Sequence, residues 1–186
     1  MRIRVHYNSP VVLTFALVSL GALVLGFLTG GWSTRAFFCV YRSSLSDPLT
    51  YVRMVGHVLG HGSYAHYMGN MMLLLVVGPP LEEKYGSKRL LMCILITALA
   101  SGLVQFFLFP NTALLGASGI VFMMILLSSL AGMREGSVPL TLILVAVLYL
   151  GGEVVEAVTA RDNVSQLTHI VGGLCGAGLG FGMKHR

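Results

Sequence analysis

Residues 90–109 read LLMCILITALASGLVQFFLF, a run of twenty residues without a charged side chain. An α-helix needs about 20 apolar residues to cross the hydrocarbon core of a bilayer. The whole chain has the same character, since 55% of its 186 residues are hydrophobic and only 10% are charged. A soluble domain has about 25% charged residues, and a disordered chain needs low hydrophobicity and high charge. The composition therefore excludes both of these classes.

Apolar segments recur on both sides of this run, and they predict six spanning helices. The predicted spans are 11–28, about 64–77, 90–109, about 115–132, 138–151 and about 164–183. Six spans occupy about 120 residues, so we expect one all-α domain over residues 1–186, a polytopic membrane protein built as a six-helix bundle. The second and fifth spans are short, and Gly78-Pro79-Pro80 is expected to end the second. The long connection 30–59 is apolar enough to lie on the membrane surface.

The basic residues predict how the chain is oriented in the membrane. The formal net charge is +5, but Lys and Arg lie in short pieces between apolar runs, which favours positive-inside placement over a nucleic-acid surface. With the N-terminus inside, the inner segments carry Arg2, Arg4, Lys84, Lys88, Arg89, Arg134, Lys184 and Arg186. The outer segments carry Arg35, Arg42, Arg53 and Arg161. We therefore expect both termini inside and a retained first helix rather than a cleaved signal peptide.

Four polar side chains are predicted to lie at one membrane depth. His66 and Asn70 are one turn apart in the second span, Ser118 is near the start of the fourth, and His169 is in the outer half of the sixth. In the predicted orientation these three helices all begin at the outer face. Polar and ionisable groups at depth are costly and indicate function. The four side chains could therefore meet in one pocket near the outer surface.

This combination of residue types fits acyl transfer. A serine hydroxyl needs an adjacent base, which makes Ser118 the candidate nucleophile and His169 the candidate general base and acid. The oxyanion of the intermediate needs donors, which His66, Asn70 and the backbone N–H of Ser118 could supply. Each residue also has a structural interpretation: a helix contact for Ser118, a hydrogen-bonded core histidine for His169, and an interhelical bond for Asn70. Their coincidence at one depth favours the hydrolytic site.

Glycines accompany the candidate nucleophile and base. Gly116 and Gly119 flank Ser118 closely and permit unusual backbone dihedrals. The stripe Gly172-x-x-x-Gly176-x-x-x-Gly180 follows His169 and would let another helix backbone approach, although such stripes also mediate dimerisation. If the fourth span packs on this stripe, Ser118 and His169 come within reach of each other.

Other function classes find less support. His57 and His61 are four residues apart, which on a helix suits a metal ion, but Gly60 interrupts the helical pattern and no HExxH occurs. We expect the two histidines to be structural hydrogen-bonding groups, and no metal or organic cofactor. A small transporter could use Glu153 and Glu156, which more simply belong to a solvated outer loop. A structural or chaperone-like membrane protein would not need Ser118 and His169 together.

Four short motifs, in order, resemble those of the rhomboid family of intramembrane serine proteases. They are His61–Met71 for HxxxxHxxxN, Leu81–Gly86 for LExxxG, Gly116–Gly119 for GxSG and His169–Gly172 for HxxG. The similarity extends from about Arg53 to Gly176. It implies a Ser–His dyad and the oxyanion donors named above, with His61, Gly116, Gly119, Phe122 and Gly172 in supporting positions. It also implies an outward-facing cavity covered by the loop 152–163.

The resemblance further implies a substrate, and three positions differ from the family pattern. The expected substrate is a single-span membrane protein that enters laterally from the bilayer, past the second or fifth helix, and is cut near the outer end of its helix. Val52-Arg53 stands where the family has Trp-Arg, Phe122 where many members have Tyr, and Thr168 where a smaller residue is usual.

The expected location is the bacterial cytoplasmic membrane. The alternative is a catalytically silent rhomboid-like binding or chaperone protein.

Overall fold

The structure, a computed structural model, describes residues 7–131, 140, 143–144 and 164–184. Its helices are α1 Pro10–Leu28, α2 Trp32–Phe37, α3 Pro48–Gly56, α4 Tyr64–Tyr85, α5 Ser87–Leu108, α6 Ser118–Ala131 and α7 Val164–Lys184, with a 3-10 turn at His57–Leu59. Two short strands, β1 Val40–Tyr41 and β2 Ala113–Leu114, pair antiparallel. The predicted all-α class is confirmed. The predicted fifth span lies almost wholly outside the described residues.

Two helices in the described part of the chain are long and apolar enough to cross a membrane, α1 and α5, with mean hydropathies of 2.6 and 2.2. Helix α7 extends over 21 residues, which agrees with the predicted sixth span to within one residue. The buried apolar side chains of α1, α4, α5 and α6 form one continuous core. The helices therefore pack as a single bundle around this core, and the exposed side chains of α1 and α5 are themselves largely apolar.

Helix α1 begins against the carboxylate of Glu82, which lies near the end of α4. The backbone N–H groups of Val11 and Val12 donate to the two carboxylate oxygens at 2.9 and 3.0 Å, and the hydroxyl of Ser87 donates at 2.7 Å. The first N–H groups of a helix have no partner inside the helix, and a negative charge is favourable there. Glu82 is 4% exposed, so its charge is used inside the protein to tie α1 to α4.

Glu82→Ala is expected to lower the free energy of unfolding by about 3 kcal/mol, because two helix N–H groups lose a charged acceptor in a buried position. Thermal unfolding in detergent measures the change. The matched control is Glu83→Ala, since Glu83 is exposed. Equal stability of the two variants would contradict this role of Glu82.

The predicted end of the second span at Gly78-Pro79-Pro80 is wrong, because α4 continues through both prolines to Tyr85. The prolines remove two N–H donors, yet the helix is held on both sides of them. Gly78 lies against Val12, where an added β-carbon would come within 2.7 Å of a valine methyl group. Beyond the prolines, Glu82 bonds the start of α1. Tertiary contacts thus carry the helix through a sequence that by itself predicts a break.

The fourth span begins at Ser118 rather than at about residue 115. The residues before it are diverted into the strand pair, in which Leu114 lies opposite Val40 and Ala113 opposite Tyr41. The pairing joins the segment before α6 to the long connection 30–59. Ser118 is consequently the first residue of α6, and residues 115–117 connect it to β2.

The connection 30–59 is organised around the guanidinium of Arg53, which is 4% exposed. Arg53 donates to Asp47 at 2.6 Å and to the hydroxyls of Ser43 and Thr50 at 3.2 Å, and it lies 4.8 Å from the ring centre of Tyr41. Asp47 also accepts from the N–H of Leu49 at 2.9 Å and so caps α3. The connection is a folded unit with α2 and α3, a detail that composition did not predict.

The Asp47–Arg53 pair makes the stability of this connection dependent on pH. The hydrogen bond from Arg53, followed by that from Leu49, lowers the pKa of Asp47 below its ordinary value of 3.8. A lowered folded-state pKa means that the stabilisation is full above the unfolded value and is lost as pH falls through the folded value. Asp47→Asn should therefore unfold more readily than wild type at about pH 7, and this difference should disappear as the pH falls through the folded-state pKa of Asp47. Unfolding midpoints at several pH values measure this difference, with Glu83→Gln as the control variant. A difference between Asp47→Asn and wild type that stays the same at every pH would contradict the role of the Asp47–Arg53 pair.

Candidate active site

The turn before Ser118 is fixed by Gly116. This glycine has φ +128°, a conformation that other residues rarely adopt, and its N–H donates to the carbonyl of His57 at 3.0 Å. The 3-10 turn that carries His57 therefore holds the chain two residues before the candidate nucleophile. Ser118 itself is half-buried and is the first residue of α6.

His66 and Asn70 on α4 lie beside this turn. A β-carbon on Gly116 would come within 2.9 Å of Nε2 of His66 and 3.9 Å from Nδ2 of Asn70. The amide of Asn70 donates to the carbonyl of His66 at 3.3 Å, and the hydroxyl of Ser63 accepts from the N–H of His66 at 3.1 Å, capping α4. The structure thus brings the two predicted oxyanion donors together next to the glycine turn. Only a glycine leaves room for them at this distance.

The ring of His61 packs against the ring of His66. The two ring centres are 5.1 Å apart in an edge-to-face arrangement, and the ring of Tyr67 lies 5.5 Å from that of His61 on another side. His61 is 2% exposed, and its Nδ1 lies 3.3 Å from the carbonyl of Leu59. This contact restricts the ring of His66 from one side.

His57 and His61 do not share a helix face. His57 lies in the 3-10 turn with its Nε2 3.2 Å from the carbonyl of Ala98, and Gly60 between the two histidines is extended, with ψ 144°. Within the described ranges, no three His, Cys, Asp or Glu side chains come together in a way that could hold a metal ion. A ring nitrogen of each histidine instead lies within hydrogen-bonding distance of a backbone carbonyl.

Helix α7 packs on α6 through the glycine stripe. A β-carbon on Gly172 would collide with the carbonyl oxygen of Gly119, and one on Gly176 would come within 2.6 Å of the carbonyl of Met123. The two backbones therefore touch next to Ser118. His169 lies in α7 one turn before Gly172, and its side chain, like that of Thr168, falls outside the described part of the chain.

Phe122, at the position where many rhomboid sequences have tyrosine, is buried between α6 and α7. Its ring is 3% exposed, and a β-carbon on Gly173 would come within 2.6 Å of it. Phe122 therefore contacts α7 one turn after His169 in sequence. The ring fills the space between α6 and α7 about one turn after Ser118.

Sequence reasoning missed two polar side chains that form contacts at the end of α5, namely Gln105 with the loop before α6 and Arg42 with α5 itself. The amide of Gln105 donates to the hydroxyl of Thr112 at 3.0 Å, and Arg42 donates to the carbonyl of Phe106 at 2.9 Å. Gln105 is 1% exposed within an apolar helix. A buried amide in a spanning segment is costly unless it is bonded, and this cost is the signal that could have identified it.

Together these contacts converge on the start of α6. Helix α4 reaches it through His66 and Asn70, and α7 reaches it through Gly172. The imidazole and the amide both carry N–H donors beside the turn, so a carbonyl oxygen placed there could accept from two side chains. The arrangement can stabilise negative charge on an oxygen bound next to Ser118.

Comparison with known proteins gives one family. The rhomboid domain family model matches residues 48–186. Rhomboid-like protein 15 of Arabidopsis thaliana is 28% identical, over 94% of this chain and 47% of its own length. Rhomboid-related protein 2 of Mus musculus is 26% identical, over 92% of this chain and 64% of its own length. Rhomboid protease GlpG of Pectobacterium atrosepticum is also 26% identical, over 92% of this chain and 62% of its own length. The chain thus spans between about half and two-thirds of these relatives.

Proposed function

Because the chain belongs to the rhomboid family, we propose that it is an intramembrane serine endopeptidase that cuts single-span membrane proteins near the outer end of their helix. The observation that carries the proposal is the packing of His66 and Asn70 against Gly116, two residues before Ser118. A relative named as a protease, GlpG, aligns over most of the chain and supports the proposed protease function.

In the proposed reaction Ser118 is the nucleophile and His169 the base. The hydroxyl oxygen of Ser118 attacks the peptide carbonyl while His169 takes the hydroxyl proton. The tetrahedral oxyanion accepts hydrogen bonds from His66, Asn70 and the N–H of Ser118. His169 then gives its proton to the leaving amine, and the peptide bond breaks to leave an acyl-serine.

The second half of the proposed reaction releases the acyl group. A water molecule loses a proton to His169 and attacks the ester carbonyl, and the same donors stabilise the second oxyanion. The proton returns to Ser118 as the acid product leaves. Each step uses water and groups of this protein, namely the four side chains and the backbone N–H of Ser118.

The membrane placement supports this choice of substrate. The protein is an integral membrane protein of the rhomboid family, so a substrate helix can reach the site through the bilayer. We propose that residues 1–186 form one domain with both termini inside, which puts the start of α6 near the outer face. The proposed location is the bacterial cytoplasmic membrane, although relatives occur in both bacteria and eukaryotes.

Reconstitution into liposomes tests the proposal. The substrates are single-span proteins with a small residue near the outer end of the helix and Gly or Pro close by, because these residues weaken the helix at the cut site. We expect one main cut at that small residue, located by mass spectrometry of the two products. The matched control substrate replaces the Gly or Pro by Leu and should be cut more slowly. No cleavage of any substrate by a folded, reconstituted protein would favour the silent binding or chaperone alternative.

A further inference from the structure

A cleft of about 410 Å³ opens between α5 and α7, at the end of the bundle opposite to the start of α6. Lys88 and Arg89, in the first turn of α5, line the cleft at the helix end. The remaining wall is apolar and comes from both helices, chiefly Met92, Ile96 and Leu179. The cleft is thus basic at the start of α5 and apolar farther along the helix.

The two cations lack an acidic partner in the part of the chain that the structure describes. Both side chains are exposed, and the ion pair found among the described residues joins Arg53 to Asp47 elsewhere. The nearby Glu82 is occupied by the start of α1. Positive charge at a helix N-terminus is unfavourable, so an anion placed here would relieve repulsion from the helix as well as from the neighbouring cation.

The apolar wall and the basic end of the cleft indicate what kind of molecule could bind there. Met92 and Ile96 are 52% and 43% exposed, and they lie in the second and third turns of a helix that is apolar enough to cross a membrane. A basic cleft between spanning helices on the side rich in Lys and Arg is a typical site for an anionic lipid headgroup. By sequence, Lys184 and Arg186 add further positive charge at the end of α7.

We propose that this cleft binds one anionic glycerophospholipid, with its phosphate between Lys88 and Arg89 and an acyl chain along Met92, Ile96 and Leu179. On the proposed topology the lipid belongs to the inner leaflet. The site is separate from the candidate catalytic residues and requires only that the chain be inserted in a membrane. Loss of protease activity and loss of lipid binding are therefore distinguishable failures.

Native mass spectrometry of the full chain in detergent tests the site, with palmitoyl-oleoyl phosphatidylglycerol and the matching phosphatidylcholine as probes. Wild type should retain the phosphatidylglycerol at least about tenfold better, because each basic residue strengthens attraction of an anionic lipid several-fold. The double variant Lys88→Gln/Arg89→Gln should lose this preference. Retention of the preference by that variant would overturn the proposal.

Gly182→Leu tests the cleft without changing charge. Among the described residues, no atom lies within 4 Å of a β-carbon added to Gly182, which lines the cleft, so the leucine can enter the space. It should weaken phosphatidylglycerol binding, whereas Gly21→Leu on α1, where a β-carbon likewise meets no described residue within 4 Å, should not. Binding unchanged in Gly182→Leu would mean diffuse surface attraction and would overturn the proposal.

Two further experiments distinguish binding of a lipid in this cleft from general electrostatic attraction to the protein surface. Arg35→Gln/Arg42→Gln removes the same charge from the connection 30–59 and should leave the preference intact. Glycerol phosphate in large excess should not displace the lipid, because it lacks the acyl chain. An equal loss of the phosphatidylglycerol preference in Arg35→Gln/Arg42→Gln would contradict a cleft that holds the whole phospholipid. Full displacement of the lipid by glycerol phosphate would contradict it as well.

Discussion

Ser118→Ala is expected to lower the rate of substrate cleavage in liposomes by about 10⁴- to 10⁶-fold, the range seen when a serine hydrolase loses its nucleophile. The variant keeps the glycine turn and the donors, so the loss reports the hydroxyl group alone. His169→Ala is expected to fall in the same range, since the two residues act as a unit and their losses do not add.

Ser129→Ala is the matched control for this series. Ser129 lies on the same helix, is 9% exposed and donates its hydroxyl to the carbonyl of Ile125 at 3.0 Å. Its removal should change cleavage little. The proposed chemistry fails if Ser118→Ala keeps more than a small part of the wild-type rate while its unfolding midpoint is unchanged.

His66→Ala is expected to lower kcat by about 10²- to 10³-fold, the usual effect of losing one oxyanion donor. KM should change much less, because the donor acts on charge that develops after the substrate has bound. Asn70→Ala should act in the same direction. Cleavage rates measured over a range of substrate mole fractions in the liposome separate the two parameters.

Met72→Ala serves as control for these variants. Met72 lies on the same helix and is 63% exposed, so it has little part in the packing around Gly116. An increase in KM with unchanged kcat in His66→Ala would contradict the oxyanion role and would indicate substrate binding instead.

Helix positions were largely predictable, because spanning segments have a strong compositional signal. The limits of α1 and α7 agree with the sequence to within about one residue. The end of α4 was not predictable, since contacts of Gly78 and Glu82 with α1 outweigh two prolines. The start of α6 was shifted by strand pairing with a segment more than 70 residues earlier, which no local pattern reveals.

The proximity of His66 and Asn70 to the turn before Ser118 was predictable, but the contacts that support this turn were not. Depth alone placed His66 and Asn70 near Ser118, and the structure brings them beside Gly116. The bond from Gly116 to the His57 carbonyl and the bond from Arg42 to the Phe106 carbonyl join elements distant in sequence, so composition could not supply them. The pairing of Ser118 with His169 stays a prediction, because the side chain of His169 lies outside the described residues.

Labelling with a fluorescent fluorophosphonate tests the central proposal most directly, because this reagent reacts with a serine that an adjacent base activates. The proteins compared are wild type, Ser118→Ala, His169→Ala and Ser129→Ala, all purified in detergent and shown to be folded. We expect labelling of wild type and Ser129→Ala, and none of the other two. Absence of labelling in folded wild type, or labelling that persists in Ser118→Ala, would contradict an activated serine at the start of α6.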